Sequence, residues 1–249
     1  MLTTDLTHLL WLIVAMGVVA MLYASVGHGG ASGYLAVMAL ASWTPAQMKP
    51  TALVLNIAVS ALAAWMFWRA GFFSAKIFLP LAAASIPMAF LGGHWTAPSP
   101  LFHWLVALTL IVAAGGLVFR VSSREAPLRV PSLFILLIIG ALLGFISGLI
   151  GVGGGIFLTP LLLFLGWCQP KTAAAISAVF ILVNSLAGLA GNAASISHLP
   201  AGILWLAGTV LVAGYLGAAW GSGHAPNIRI RQSLALVLLI AATKMILTI

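Results

Sequence analysis

Acidic side chains are nearly absent from this sequence: Asp5 and Glu125 are the only two carboxylates in 249 residues. Neither lies in an apolar run, so proton relay or general acid–base chemistry through a buried Asp or Glu is excluded from those runs. There is one cysteine, Cys168. It can form no internal disulfide and no cysteine cluster for a metal, and reads as a buried structural thiol. No Gly-x-x-x-x-Gly-Lys-Ser/Thr loop and no metal-binding His pair on one helical turn is present, which argues against nucleotide-driven pumping within this chain. The scattered His94, His103, His198 and His224 show no acid–base pairing. No cofactor is expected, and the chain is not read as an enzyme.

Charge of either sign is scarce, at 5% of residues, where soluble domains carry about 25%. Hydrophobic residues make up 63% of the chain and the mean hydropathy is +1.22. No soluble fold hides that much apolar surface, so the chain reads as an all-α polytopic membrane protein. The ten Lys and Arg give a net charge of +8 but sit between apolar runs, as topology signals and not as a nucleic-acid patch.

Ten apolar segments fall at 9–26, 31–43, 50–68, 77–96, 100–119, 132–150, 155–167, 172–191, 200–220 and 232–249. The run from Leu9 to Val26 follows Asp5 and His8 instead of a basic region, and is read as a retained segment, not a secretory signal. Most segments can cross a hydrocarbon core of about 30 Å; the second and seventh are too short and either span poorly or re-enter. The polar stretch 120–131 divides the chain into an N-terminal repeat, 1–119, and a C-terminal repeat, 132–249, of five segments each. An offset of 124 lays Gly27-His28-Gly29-Gly30 over Gly151-Val152-Gly153-Gly154, and an offset of 125 lays Ser60 over Ser185. An odd number of segments per half makes the repeats inverted.

Alternating the loops collects Arg69, Lys76, Arg120, Arg124, Arg129, Lys171, Arg229 and Arg231 on one face and leaves Lys49 and Lys244 on the other. The basic face is expected in the cytoplasm, with both termini periplasmic and the linker cytoplasmic. Tryptophans 11, 43, 65, 68, 95, 104, 167 and 220 lie near segment ends, where interfacial anchors belong.

The densest motif runs from Gly144 to Gly155, with six glycines in twelve residues. Gly140, Gly144 and Gly148 recur every four residues and read as a helix-packing face. Gly151, Gly153, Gly154 and Gly155 break that spacing and read as an unwound site, as do Gly27, Gly29 and Gly30. Unwound backbone at membrane depth is tolerated where protein buries it or a watery cavity lines it. Where it leads into a helix, free N–H groups and the helix dipole favour an anion. His28 could bond an oxyanion, carry a proton, or simply pack. Asn56 and Ser60, with Ser177, Asn184 and Ser185, either complete the coordination shell or bond helix to helix. Lys49 and Lys171 begin corresponding segments and either steer anions or snorkel.

At these glycine clusters the chain resembles the TauE/SafE family of sulfite and organosulfonate exporters. The resemblance is strongest at Ser147-Gly148-Leu-Ile-Gly151-Val-Gly153-Gly154-Gly155, with Pro160 beyond it, and extends over both halves. The first motif departs from the family's Gly-x-Gly-Gly-Gly, with His28 at the variable position and Ala31 in place of the last glycine. The resemblance implies transport of sulfite, sulfoacetate or a related sulfonate across a bacterial inner membrane. Composition and spacing alone reach only a small anion. The expected partners are that anion and the lipid bilayer, without nucleic acid, and a homodimer is an open assembly. Gly27, His28, Gly29, Gly30, Asn56, Gly151, Gly153, Gly154, Gly155, Ser177 and Asn184 are the candidate substrate-binding residues of an alternating-access carrier. A channel-like pore or a non-transport subunit of a larger complex is the alternative.

Overall fold

The structure is a computed structural model and describes residues 6–25, 29–118, 131–223 and 228–247. Among the described residues there is no strand. The helices are α1 (Leu6–Ser25), α2 (Ala31–Leu40), α3 (Pro45–Arg69), α4 (Ala75–His94), α5 (Ser99–Val118), α6 (Leu133–Ile150), α7 (Gly155–Phe164), α8 (Pro170–Gly191), α9 (Ile203–Gly223) and α10 (Ile228–Leu247). A 3-10 turn, Ala193–His198, follows α8; hydropathy gave no sign of it.

Helix ends follow local chemistry. Pro45 and Pro170 open α3 and α8 at the first-turn position where a missing N–H costs nothing, and the preceding Thr44 and Gln169 are extended. At the end of α2, Ser42 N donates to Ala39 O at 3.0 Å and Trp43 N to Met38 O at 3.0 Å. At the end of α7, Gly166 N donates to Leu163 O at 3.1 Å and Trp167 N to Leu162 O at 3.0 Å. Both are Schellman closures through a left-handed residue, Ser42 at φ 60° and Gly166 at φ 67°, and they recur 124 residues apart.

Packing partners also correspond when the two halves are exchanged. α1 lies along α9 as α6 lies along α4, α5 pairs with α10, and α3 pairs with α8 at the centre. Gly92 sits against the carbonyl of Phe145 on α6, and Gly217 against that of Met21 on α1. The Gly140, Gly144 and Gly148 face lies directly on the α4 backbone at Leu81, Ser85 and Ala89. Only a residue without a side chain lets α4 and α6 approach so closely, which is the packing role their spacing predicts.

The helices α3, α4, α6 and α8 are long and apolar enough to cross a membrane. α2 and α7, at ten residues, reach only about 15 Å, half the hydrocarbon thickness. The outer surface is apolar, with Leu79, Phe90, Phe134, Leu142 and Val212 exposed, as lipid-facing positions must be. Trp11, Trp65, Trp68, Trp95 and Trp104 are exposed as anchors would be, and so is Trp205, which the end-of-segment reading missed. Trp167 corrects that reading: it is buried, packed with Leu158, Leu162, Cys168 and Phe180, because the α7 closure folds it back inward. The side chain of Trp220 lies outside those described.

Candidate functional site

Two of the glycines have the same unusual job. Gly30 is the N-cap of α2 at φ 81°, ψ −5°, and Gly154 is the N-cap of α7 at φ 76°, ψ −14°. A side chain is strained in that left-handed conformation, so each position requires glycine. Neither cap has a side-chain oxygen to offer, and the first-turn N–H groups of a helix have no intrahelical acceptor. Both α2 and α7 are thus short helices whose positive ends open at a left-handed glycine.

The two turns meet at one side chain. A Cβ at Gly29 would lie 3.0 Å from Ile181 Cδ1, and one at Gly153 would lie 2.6 Å from Ile181 Cγ2; Gly155 also abuts Ile181. Ile181, on α8, therefore fills the joint between the glycine turns of the two halves. Beside it a narrow crevice is lined by Tyr23, Gly29, Gly30, Ala31, Ser32, Val152, Ile156 and Ile181. Ser32 Oγ donates to Tyr23 Oη at 3.1 Å across this crevice. Tyr23, Ser32 and Ile181 were not singled out from sequence. Ser32, two residues beyond the Gly30 cap, carried the only usable signal.

Beside Ile181, at the same Gly153 position, lies a polar cluster. A Cβ there would be 3.1 Å from both Asn56 Nδ2 and Ser185 Oγ. Asn56 Nδ2 reaches Gly151 O at a long 3.5 Å, while Asn56 O accepts from the Ser60 hydroxyl. Asn184 Nδ2 donates to Phe180 O at 2.8 Å. The oxygens Asn56 Oδ1, Asn184 Oδ1 and Ser185 Oγ are buried without a hydrogen-bond partner. Leaving such groups unpaired costs about 1–3 kcal/mol each, so a ligand or water is favoured there.

Of the candidate residues, Gly29, Gly30, Gly153 and Gly155 border the Ile181 joint. Asn56 and Gly151 sit in the polar cluster, and Gly154 caps α7 with Phe180 against it. Ser177 is engaged elsewhere: its hydroxyl accepts from Thr159 Oγ1 at 2.7 Å, tying α7 to α8. Gly27 and His28 lie outside the described residues.

The two lysines read as corresponding have different surroundings. Lys49 is buried, and its ammonium donates to the carbonyls of Gly92 at 3.3 Å, Gly93 at 2.8 Å and Trp95 at 3.3 Å. It caps the C-terminus of α4, where the helix dipole favours a cation, and neither snorkels nor faces the bulk. Lys171 is exposed, with its ammonium 5.0 Å from the Phe72 ring centroid. Lys244 bonds Leu40 O and Ser42 Oγ, both at 2.8 Å, clamping the end of α2 to α10. His94 Nδ1 contacts Gly191 O at 3.3 Å, joining the end of α4 to the end of α8, and His103 Nδ1 contacts the local carbonyl of Ser99 at 2.6 Å.

Several known proteins are similar in sequence to this chain. The model of the family described as "Sulfite exporter TauE/SafE" matches residues 12–245. A probable membrane transporter protein of Sinorhizobium fredii, y4hK, is 38% identical over 245 residues, covering 96% of this chain and 99% of that one. Shorter similarities link the chain to a probable membrane transporter protein of Xylella fastidiosa, 40% identical over 98 residues, covering 38% of this chain and 35% of the relative. Another, YunE of Bacillus subtilis, is 36% identical over 86 residues, covering 34% of this chain and 28% of the relative. No solved structure matches. With the family model spanning nearly the whole chain and a relative aligned end to end, the chain belongs to the TauE/SafE sulfite exporter family and is a multi-pass membrane transporter.

Proposed function

We propose that this transporter is a secondary carrier for a small sulfur-containing anion, such as sulfite, sulfoacetate or another organosulfonate, in the bacterial inner membrane. The observation that carries the reading is the meeting of two glycine-capped half-helices at Ile181. Their N-terminal N–H groups offer oxyanion oxygens a set of neutral donors, and their dipoles add partial positive charge without a buried lysine. Gly29, Gly30, Gly153, Gly154 and Gly155, with Gly27 and His28, supply the backbone; Asn56 supplies an amide at the rim. The sulfur chemistry of the cargo rests on the family's name alone.

Alternating access follows from the pseudo-equivalence of the halves. Each half carries one turn, the turns share one joint, and rocking one half against the other exposes that joint to one face at a time. In this arrangement the repeats are inverted, and the basic loops and the linker are cytoplasmic, with both termini periplasmic. The test is uptake of labelled sulfite, sulfoacetate, sulfate and chloride into liposomes holding the purified protein. Saturable flux of a sulfur anion with counterflow, lost in Gly154→Leu, is expected. Flux without saturation or counterflow would replace the carrier with a pore, and normal transport by Gly154→Leu would remove the glycine turns from the site.

A further inference from the structure

The crevice beside Ile181 has two unlike walls. One is the start of α2, where Gly30 caps the helix and Ser32, its second residue, bonds Tyr23 of α1. The other is aliphatic, with Val152, Ile156 and Ile181. Ile156 is the second residue of α7, the place that Ser32 holds on α2. Ile181 packs over Gly153 and Gly155 at the start of α7, so the side chains covering that helix end offer no donor.

The hydroxyls at the α2 end have more protons to give than acceptors to take them. Tyr23 and Ser32 are both buried, and the 3.1 Å bond between them uses one of the pair's two O–H protons. The second proton has no acceptor among the described residues. Tyr34 Oη reaches back to the same cap, where a Cβ at Gly30 would lie 2.7 Å from it. Tyr34 has no exposed surface, and its hydroxyl has no hydrogen-bond partner. Two spare O–H donors thus stand beside the unpaired first-turn N–H groups of α2, a set complementary to an acceptor with negative charge. All of these donors are neutral. No residue lining the crevice is charged, and the buried Lys49 ammonium is committed to the α4 carbonyls.

We propose that Tyr23, Ser32 and Tyr34 are the specificity-determining contacts for the head of the anion, and that the α7 wall restricts the cargo to oxyanions carrying a single negative charge. The head lies at the start of α2, and any substituent lies along Val152 and Ile156. A second charged group on the cargo would press against aliphatic side chains with no donor side chain and no cation to balance it. The desolvation penalty of such a charge outweighs what apolar contact returns. A singly charged sulfonate such as ethanesulfonate fits both walls; sulfoacetate, similar in length but doubly charged at neutral pH, does not. The assignment rests on the anion reading of the glycine turns and narrows it to one charge class.

The experiment pairs ethanesulfonate with sulfoacetate on the full-length protein at neutral pH, with two readouts: the thermal unfolding midpoint in detergent and uptake into liposomes. Ethanesulfonate should raise the midpoint in the mass-action form for one site, half-saturating at a concentration about tenfold or more below that of sulfoacetate. Tyr23→Phe removes only a hydroxyl and should raise the ethanesulfonate value about tenfold, the effect of one lost hydrogen bond to a charged group. Tyr34→Phe deletes an unpartnered group, so the ligand-free midpoint should stay at or above the parent's while the half-saturating concentration rises. Ile156→Ser places the α2 residue on the α7 wall and should narrow the gap between the two anions. Sulfoacetate binding as tightly as ethanesulfonate, or ethanesulfonate binding unchanged in both tyrosine variants, overturns the proposal. Midpoint shifts with the expected selectivity but without uptake remove the carrier and keep the site. Saturable uptake of both anions without selectivity removes the charge restriction and keeps the carrier, and the absence of both responses refutes both.

Discussion

Replacing Gly154 with alanine adds one methyl group where two separate penalties act. The residue sits at φ 76°, and a side chain in that left-handed region costs about 1–2 kcal/mol. The new Cβ would also lie 2.8 Å from Cε1 of Phe180, a ring with no exposed surface and so no room to retreat. Overpacking of this kind costs about 1–3 kcal/mol. Gly166 provides the reference: it has φ 67° but nothing within 4 Å of its Cβ position, so Gly166→Ala meets the backbone penalty alone. The smaller conformational entropy of the unfolded alanine chain affects both variants alike, and cancels in the comparison. The difference between them therefore isolates the Phe180 contact. At about 3 °C per kcal/mol for a chain of this length, Gly154→Ala should unfold about 3–9 °C below Gly166→Ala. Thermal unfolding in detergent, followed by tryptophan fluorescence, reads this directly, and anion uptake should be retained in Gly166→Ala. Equal midpoints for the two variants would refute the claim that the α7 cap is wedged against α8.

Ile181→Ala should widen the joint between the glycine turns and raise the uptake of larger sulfonates relative to sulfite, at a stability cost of about 2–5 kcal/mol; competition assays in liposomes measure the shift. Lys49→Met should leave the Gly92, Gly93 and Trp95 carbonyls without their cation, lowering stability by about 1–3 kcal/mol and raising hydrogen exchange around Trp95. Gly144→Leu should fail to give a monodisperse protein because its Cβ position falls on the Ser85 backbone, whereas Gly208→Leu, on an exposed and open stretch of α9, should behave as the parent. Burial pushes the Cys168 thiol up to about 11 from an ordinary 9.0. The reactive thiolate is thus scarce near neutrality, and alkylation of the folded protein should keep accelerating beyond pH 9, where an accessible thiol levels off.

Much of the architecture was legible along the chain because the determining forces are local in sequence. Apolar length sets where helices cross, and proline and glycine set where they stop. The ten predicted segments match α1 to α10, with ends shifted by a few residues: α3 begins at Pro45 instead of Pro50 because Pro45 and the Thr44–Gln47 contact start it earlier. The four-residue spacing of Gly140, Gly144 and Gly148 announced a close helix contact, although not with α4. The break glycines were recognised by density, but nothing in their sequence specifies that Gly30 and Gly154 take the same left-handed cap.

Composition and periodicity, then, determined a membrane-embedded helical chain with glycine-rich breaks between its apolar segments, because these properties sum over neighbouring residues. Tertiary structure alone decided that Ile181 joins the two turns, that Ser177 is spent on Thr159, that Trp167 turns inward and that Lys49 caps α4. Each of these depends on a partner distant in sequence, or on the turn of the chain that precedes it. Which side chain fills a given space in the core is settled by how whole helices pack, not by the residues beside it.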